Sequence, residues 1–205
     1  LVYRVTSRPS SLGKRRIFAL KEEDIQKILS VSHVEKERAL QTGPRNRLAI
    51  RLLIVTGLRV AELASLRVED IDLDNAMIYV WSGKGRKQRI ALVDPETLQI
   101  LKAYCQGRDP KDPLIGINTR QIEYIVKRYA IAAGVKWAEH VSPHRLRDTF
   151  AVHWIRHGGD IESLRRLLGH ASLANTQKYL VFDFDEVKAA YDRIWGKKQE
   201  RRLYR

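Results

Sequence analysis

Between residues 143 and 179 the chain carries His144, Arg147, His170 and Tyr179, side chains whose types suit chemistry on an anionic group. A phenol can attack phosphorus, a guanidinium can clamp non-bridging oxygens, and imidazoles can donate or accept protons, so these residue types suit chemistry at a phosphodiester. His144 and Arg147 are three apart, so on a helix they stand one turn apart on one face. Ser142-Pro143 opens that helix: serine is a favoured N-cap, and proline at the first helical position gives up an N–H that has no intrahelical partner anyway. Leu146, Phe150 and Trp154 repeat at four and point toward a core. Asp160 is placed to cap a second short helix, with Ile161, Leu164 and Leu168 inward and Gly169 as its left-handed stop. His170 follows that stop. Ser172 is placed to cap a third short helix carrying Tyr179. The four groups therefore stand near successive helix ends, and helix N-termini offer free N–H groups to an anion.

The elements that must position this stretch are read from spacing. Residues 1–19 are basic with little periodicity and read as a linker or fragment end. Residues 21–30 form a short helix with Ile25, Ile28 and Leu29 on one side. Residues 31–46 are polar, and Gly43-Pro44 predicts a break. Leu48, Leu52 and Val55 mark a buried helix from 45 to 55, which Gly57 interrupts, and a new helix runs from 59 to 66. There Arg59 and Glu62 share a face; by themselves they read as a surface ion pair worth under about 1 kcal/mol. Residues 71–92 read as β-structure, with Ile78 to Trp81 in one strand and 89–92 in another, Ile90 and Leu92 alternating inward. The turn between them holds Gly83 and Gly85, which permit close backbone approach to a ligand. Lys84, Arg86, Lys87 and Arg89 give this hairpin a dense positive tip, which fits either a solvated charge run or entry into a DNA groove. It is not a P-loop, since Gly-x-x-x-x-Gly-Lys-Ser/Thr is missing. Asp94-Pro95 opens a helix to about 106. Thr119 is placed to cap another, ending near Ala133, with Ile122, Ile125, Val126 and Tyr129 inward. On it Arg120, Lys127 and Arg128 are candidates for DNA-backbone contact, or simply a solvated face. The reading is a mainly α chain with a small antiparallel β-sheet, an α+β fold.

Lys and Arg number 38 against 24 Asp and Glu, a net charge of +14 that points to a polyanionic partner, most directly nucleic acid. The single cysteine, Cys105, excludes an internal disulfide and a cysteine-rich zinc site. No apolar run approaches the roughly twenty residues of a membrane span, and no signal-peptide pattern is present, so an intracellular, cytoplasmic compartment is the expectation.

The motif His144-x-x-Arg147, then Leu168-Gly169-His170, then Tyr179 nine residues on, resembles the tyrosine recombinase, or phage integrase, family. Thr56-Gly57-Leu58-Arg59-Val60-Ala61-Glu62-Leu63 resembles its first arginine motif and Ser82-Gly83-Lys84-Gly85 its lysine hairpin, in the family's order, over roughly residues 20–180. The resemblance implies the catalytic-domain fold of that family over 20–180, with an upstream DNA-binding domain usual in the family but absent from this stretch. It implies Arg59, Lys84, His144, Arg147, His170 and Tyr179 as catalytic residues, with Glu62 orienting rather than reacting. Tyr179 would form a covalent 3′-phosphotyrosine link, Arg59 and Arg147 would clamp the phosphate, and His170 would donate to it. His144 would accept the tyrosine proton or donate to the phosphate, and Lys84 would protonate the departing 5′ oxygen. The implied partners are double-stranded DNA and further copies of the chain, four in a synapse. Residues 181–205, with Val187, Ala190, Tyr191 and Ile194 as an apolar face, would pack on a neighbouring copy or on their own domain.

No metal, cofactor or ATP is expected, because arginines take the place of a metal clamp and the covalent link conserves the bond energy. His153 and His157 are four apart, but Trp154 stands where a zinc protease carries its glutamate. Two other readings stay open: a type IB topoisomerase-like or telomere-resolving strand transferase, and a DNA-binding module without catalysis.

Overall fold

A computed structural model of the chain describes residues 19–31, 39–81, 87–180 and 191–192. Its organising element is α2 (Ala39–Thr56), against which α1 (Glu22–Leu29), α3 (Val60–Ser65), α4 (Pro95–Cys105), α5 (Thr119–Ala132) and α6 (Pro143–Arg156) all pack. Leu48, Ile50, Leu52 and Leu53 are buried around more than half of its circumference, as a central helix requires. Each such side chain contributes on the order of 1.5–3 kcal/mol by leaving water. This burial explains why the break expected at Gly43-Pro44 does not occur. Pro44 lies inside α2, in its second turn. Proline's fixed φ suits a helix, and the buried run downstream holds the helix despite the lost donor.

Between α3 and α4 lies a three-stranded antiparallel sheet, β1 (Ile71–Asp72), β2 (Met77–Trp81) and β3 (Lys87–Leu92), in sequence order. Ile78 pairs with Ala91 and Val80 with Arg89, and these four form the buried face. The phase of β3 is thus opposite to the one expected: Arg89 and Ala91 point inward, while Leu92 is 48% exposed. Side chains alternate along a strand, so choosing the other phase turns over every residue of the strand.

The remaining elements are α7 (Ile161–Leu168) and α8 (Ala174–Gln177). Ala151, Val152, Leu164, Leu168 and Tyr179 form a second small core, with Ala19, Phe150, Trp154 and Ile155 against it. The caps follow the sequence closely. Ser142 Oγ accepts from the Arg145 N–H, Asp160 Oδ1 from Ser163, and Asp94 Oδ1 from Glu96 and Thr97. At α5 the cap is Asn118 rather than Thr119, in a reciprocal pair with Gln121. Ser172 Oγ accepts from the Ala174 N–H, but α8 stops at Gln177 and Tyr179 follows it instead of riding on it. Cys105 is buried, as core filling requires. Among the described residues no helix is long and apolar enough to cross a membrane.

Candidate active site

The α2–α3 junction brings Arg59 to the site. Gly57 adopts φ +60, and a Cβ there would lie 2.6 Å from Phe150 Cδ1. Its carbonyl accepts from Arg147 Nη1, so this left-handed residue sets both the turn and a contact of the buried guanidinium. Arg59 is the residue before α3, and Glu62 folds back to accept from its N–H at 2.7 Å, the acidic half of a capping box. Glu62 also takes Arg59 Nη1 at 2.8 Å and Arg89 Nη2 at 2.7 Å. Burial alone would raise the Glu62 carboxyl, but the hydrogen bond and charge of Arg89, with the Arg59 contacts, outweigh it and hold it below its ordinary range. Glu62 is therefore a buried hub between two arginines rather than half of a surface pair.

Arg89 is the residue whose expected place the structure changes. It belongs neither to a solvated charge run nor to a DNA-facing tip: it is 6% exposed, paired with Glu62, and donates to the Leu167 carbonyl. A charge can occupy this inward strand position because both its partners are there to receive it. Gly169, at φ +63, ends α7 directly over it; a Cβ there would stand 2.5 Å from Arg89 Cδ.

Arg147 is 4% exposed. Besides Gly57, it donates to the Leu168 carbonyl at 2.6 Å, and Nη2 lies 3.3 Å from His170 Nε2. Burial first, then the positive charges of Arg59 and Arg89, lower it to about 10, so it stays charged at neutral pH. His170 places Nδ1 2.9 Å from Thr176 Oγ1. Arginine has no acceptor, so Nε2 accepts from Arg147 and the ring proton sits on Nδ1, toward Thr176. Burial, then Arg147 and Arg59, push His170 down to about 4, which leaves it neutral at pH 7.

Tyr179 is 2% exposed, and its hydroxyl donates to Asp148 Oδ1 at 2.8 Å. Burial and then the Asp148 hydrogen bond and charge raise the phenol above its ordinary range; Arg147 and Arg59 oppose this only in part. Asp148 also meets Lys178 Nζ at 3.3 Å and, through Oδ2, His144 Nε2 at 3.6 Å. His144 is the outermost of the group, with a side chain 71% exposed. It shares α6 with Arg147, yet its neighbour is Asp148, one turn on.

Arg59, Glu62, Arg147, His170 and Tyr179 are thus brought together, with His144 at the edge. Lys84 and Arg86 lie outside the described residues, as does the side chain of Lys87. Arg120 and Lys127 are exposed on α5, and Arg128 lies against Tyr124, 5.4 Å from its ring centre. Among the described residues no group of three metal-binding side chains occurs; His153 and His157 stack on each other at 4.0 Å. The sequence reading gives Arg89 a different place, omits Thr176 and Lys178, and gives Asp148 no role. Only Asp148 had a legible signal, lying four residues after His144 on one helix face.

A model of the phage integrase family matches residues 19–186. The chain belongs to the phage integrase family. It is 34% identical over 195 residues to tyrosine recombinase XerA of Thermococcus kodakarensis, covering 90% of this chain and 64% of that protein. Tyrosine recombinase of Pseudothermotoga lettingae is 37% identical over 175 residues, 82% of this chain and 57% of its own. The chain therefore spans about 60% of the length of these relatives. The crystal structure of XerA recombinase superposes with a TM-score of 0.70 at 30% identity, over 87% of this chain and 65% of that one. The catalytic domain of bacteriophage HP1 integrase shares the fold, with a TM-score of 0.61 at 23% identity, over 85% of this chain and 93% of the domain. The mainly helical fold with a small antiparallel sheet is that of tyrosine recombinase catalytic domains.

Proposed function

We propose that this chain is the catalytic part of a site-specific DNA recombinase that cleaves and rejoins duplex DNA through Tyr179. The observation that carries this reading is the convergence of a buried phenol, two arginines and a neutral imidazole from the residue before α3, α6, the turn after α7 and the second residue after α8. Arg59 and Arg147 would hold a phosphate whose charge grows in the transition state. Glu62 and Arg89 would keep Arg59 aimed. Tyr179 Oη attacks phosphorus, and the 5′ oxygen departs with a proton from Lys84, on the resemblance of its hairpin to the family's. Arg86, Lys87, Arg120, Lys127 and Arg128 are proposed for DNA-backbone contact, and Arg89 is assigned to the supporting set instead. Residues 20–180 are proposed as the catalytic unit, working in a synapse of four copies in the cytoplasm.

The reading of a relaxing enzyme shares these groups and differs in outcome. A duplex pair carrying the target site, incubated with the protein, should give recombinant strands. Relaxation of supercoils with no recombinant product would favour the topoisomerase-like reading. Tight DNA binding without cleavage would favour a module without catalysis.

A further inference from the structure

Among the described residues the hydroxyl proton of Tyr179 is directed at a carboxylate, not at a histidine. It points at Asp148 Oδ1, 2.8 Å away. The opposite oxygen of the same carboxylate faces His144 Nε2 at 3.6 Å, and His144 stands in solvent while Asp148 and Tyr179 are nearly sealed, at 4% and 2% exposure. Asp148 therefore bridges a buried phenol and an exposed imidazole with its two oxygens. Lys178 Nζ, 3.3 Å from Oδ1 and 4.6 Å from the centre of the Tyr179 ring, anchors the carboxylate from the side. The positive charges of Arg147 and Arg59 favour the ionised phenol.

We infer that Asp148 is a further catalytic residue, which accepts the proton of Tyr179 as the phosphotyrosine bond forms and passes it to solvent through His144. This rests on Tyr179 being the nucleophile. The Oη–phosphorus bond forms, the phosphorus–O5′ bond breaks with its electron pair on the 5′ oxygen, and the phenolic proton moves to Asp148. The carboxyl turns its protonated oxygen toward His144 and gives up the proton there, the exposed ring closing the remaining gap by a small shift or through one water. In rejoining, the proton returns along the same path to the departing phenolate. A phenol this deeply buried needs such a route. Ionisation without an acceptor would leave a bare phenolate beside a carboxylate, which burial and like charge both oppose.

The inference separates from other roles of Asp148 by how far the defect depends on phenol acidity. Single-turnover formation of the covalent adduct is followed on nicked duplexes with randomised flanks, in the full chain. Asp148→Asn keeps the shape and an acceptor oxygen but not the basicity, and should slow adduct formation by about 10²–10⁴-fold, the usual range for a lost acid–base group. Combining it with Tyr179→difluorotyrosine, whose phenol ionises far more readily, should restore most of that loss. His144→Gln, at an exposed position, carries the same test should Asp148→Asn fail to fold; its defect should also shrink with the fluorinated phenol. Equal defects in both phenol backgrounds would overturn the proton-acceptor role. So would Asp148→Asn reacting as fast as, or faster than, the parent, which would make Asp148 a latch holding Tyr179 back. A parent protein that forms its adduct on another residue, or none, would instead remove the nucleophile assignment and the inference with it.

Discussion

Replacing Glu62 tests whether the core of the site is an ion network or a set of separate contacts. Glu62 receives three donors: the Arg59 N–H, Arg59 Nη1 and Arg89 Nη2. Its side chain is 10% exposed and that of Arg89 2%, so Glu62→Gln leaves a buried guanidinium without its counter-charge. Breaking a buried pair by removing one partner costs about 3–5 kcal/mol, and this estimate applies with little solvent screening. Replacing both partners is far milder, because well-packed apolar groups of similar volume often substitute for a buried pair without loss. Urea unfolding followed by circular dichroism should therefore place Glu62→Gln several kcal/mol below the parent, with Glu62→Gln/Arg89→Met recovering much of the difference. The sign of the pH dependence follows from the lowered carboxyl. A folded value below the unfolded one adds stability that is fully present above the ordinary value of 4.5 and is lost as pH falls through the folded value. The gap between the parent and Glu62→Gln should accordingly narrow in acid. A cost under about 1 kcal/mol, the range of exposed pairs, would refute the network.

Other residues give equally direct tests. Gly57→Ala meets both a positive φ and Phe150, so it should destabilise by about 1–3 kcal/mol and impair adduct formation by shifting the carbonyl that holds Arg147; a neutral effect on both would contradict that role. Arg147→Ala should slow adduct formation by about 10²–10³-fold or more, as loss of a transition-state donor does, and near-parental cleavage would sink the clamp assignment. The His170 imidazole should titrate near 4 by NMR in the free protein, so its ring stays neutral from pH 6 to 8; a midpoint near 6.5 would mean that Arg147 and burial do not act on it as described.

The helix starts were legible because caps are local: Ser142, Asp160 and Asp94 each bond within three residues. Arg59, Arg147, His170 and Tyr179 were legible as a set through the order and spacing of their motifs and the family resemblance these carry, not through local structure. Three features were not. The continuity of α2 through Pro44 depends on tertiary burial of the helix, which local propensity does not encode. The phase of β3 depends on what waits inside; hydrophobicity favoured Ile90 and Leu92, and the paired carboxylate of Glu62 reversed the choice in favour of Arg89. The use of Asp148 depends on Tyr179 arriving from 31 residues away, a contact that no periodicity reveals.

The central claim, that Tyr179 is a nucleophile toward a DNA phosphate, is tested most directly by trapping. The protein is mixed with nicked duplex DNA in EDTA and denatured with SDS, and any protein–DNA adduct is digested and mapped by mass spectrometry. The account predicts an adduct on Tyr179 that forms without metal and disappears in Tyr179→Phe while DNA binding persists. An adduct on another residue, or one that persists in Tyr179→Phe, would contradict it.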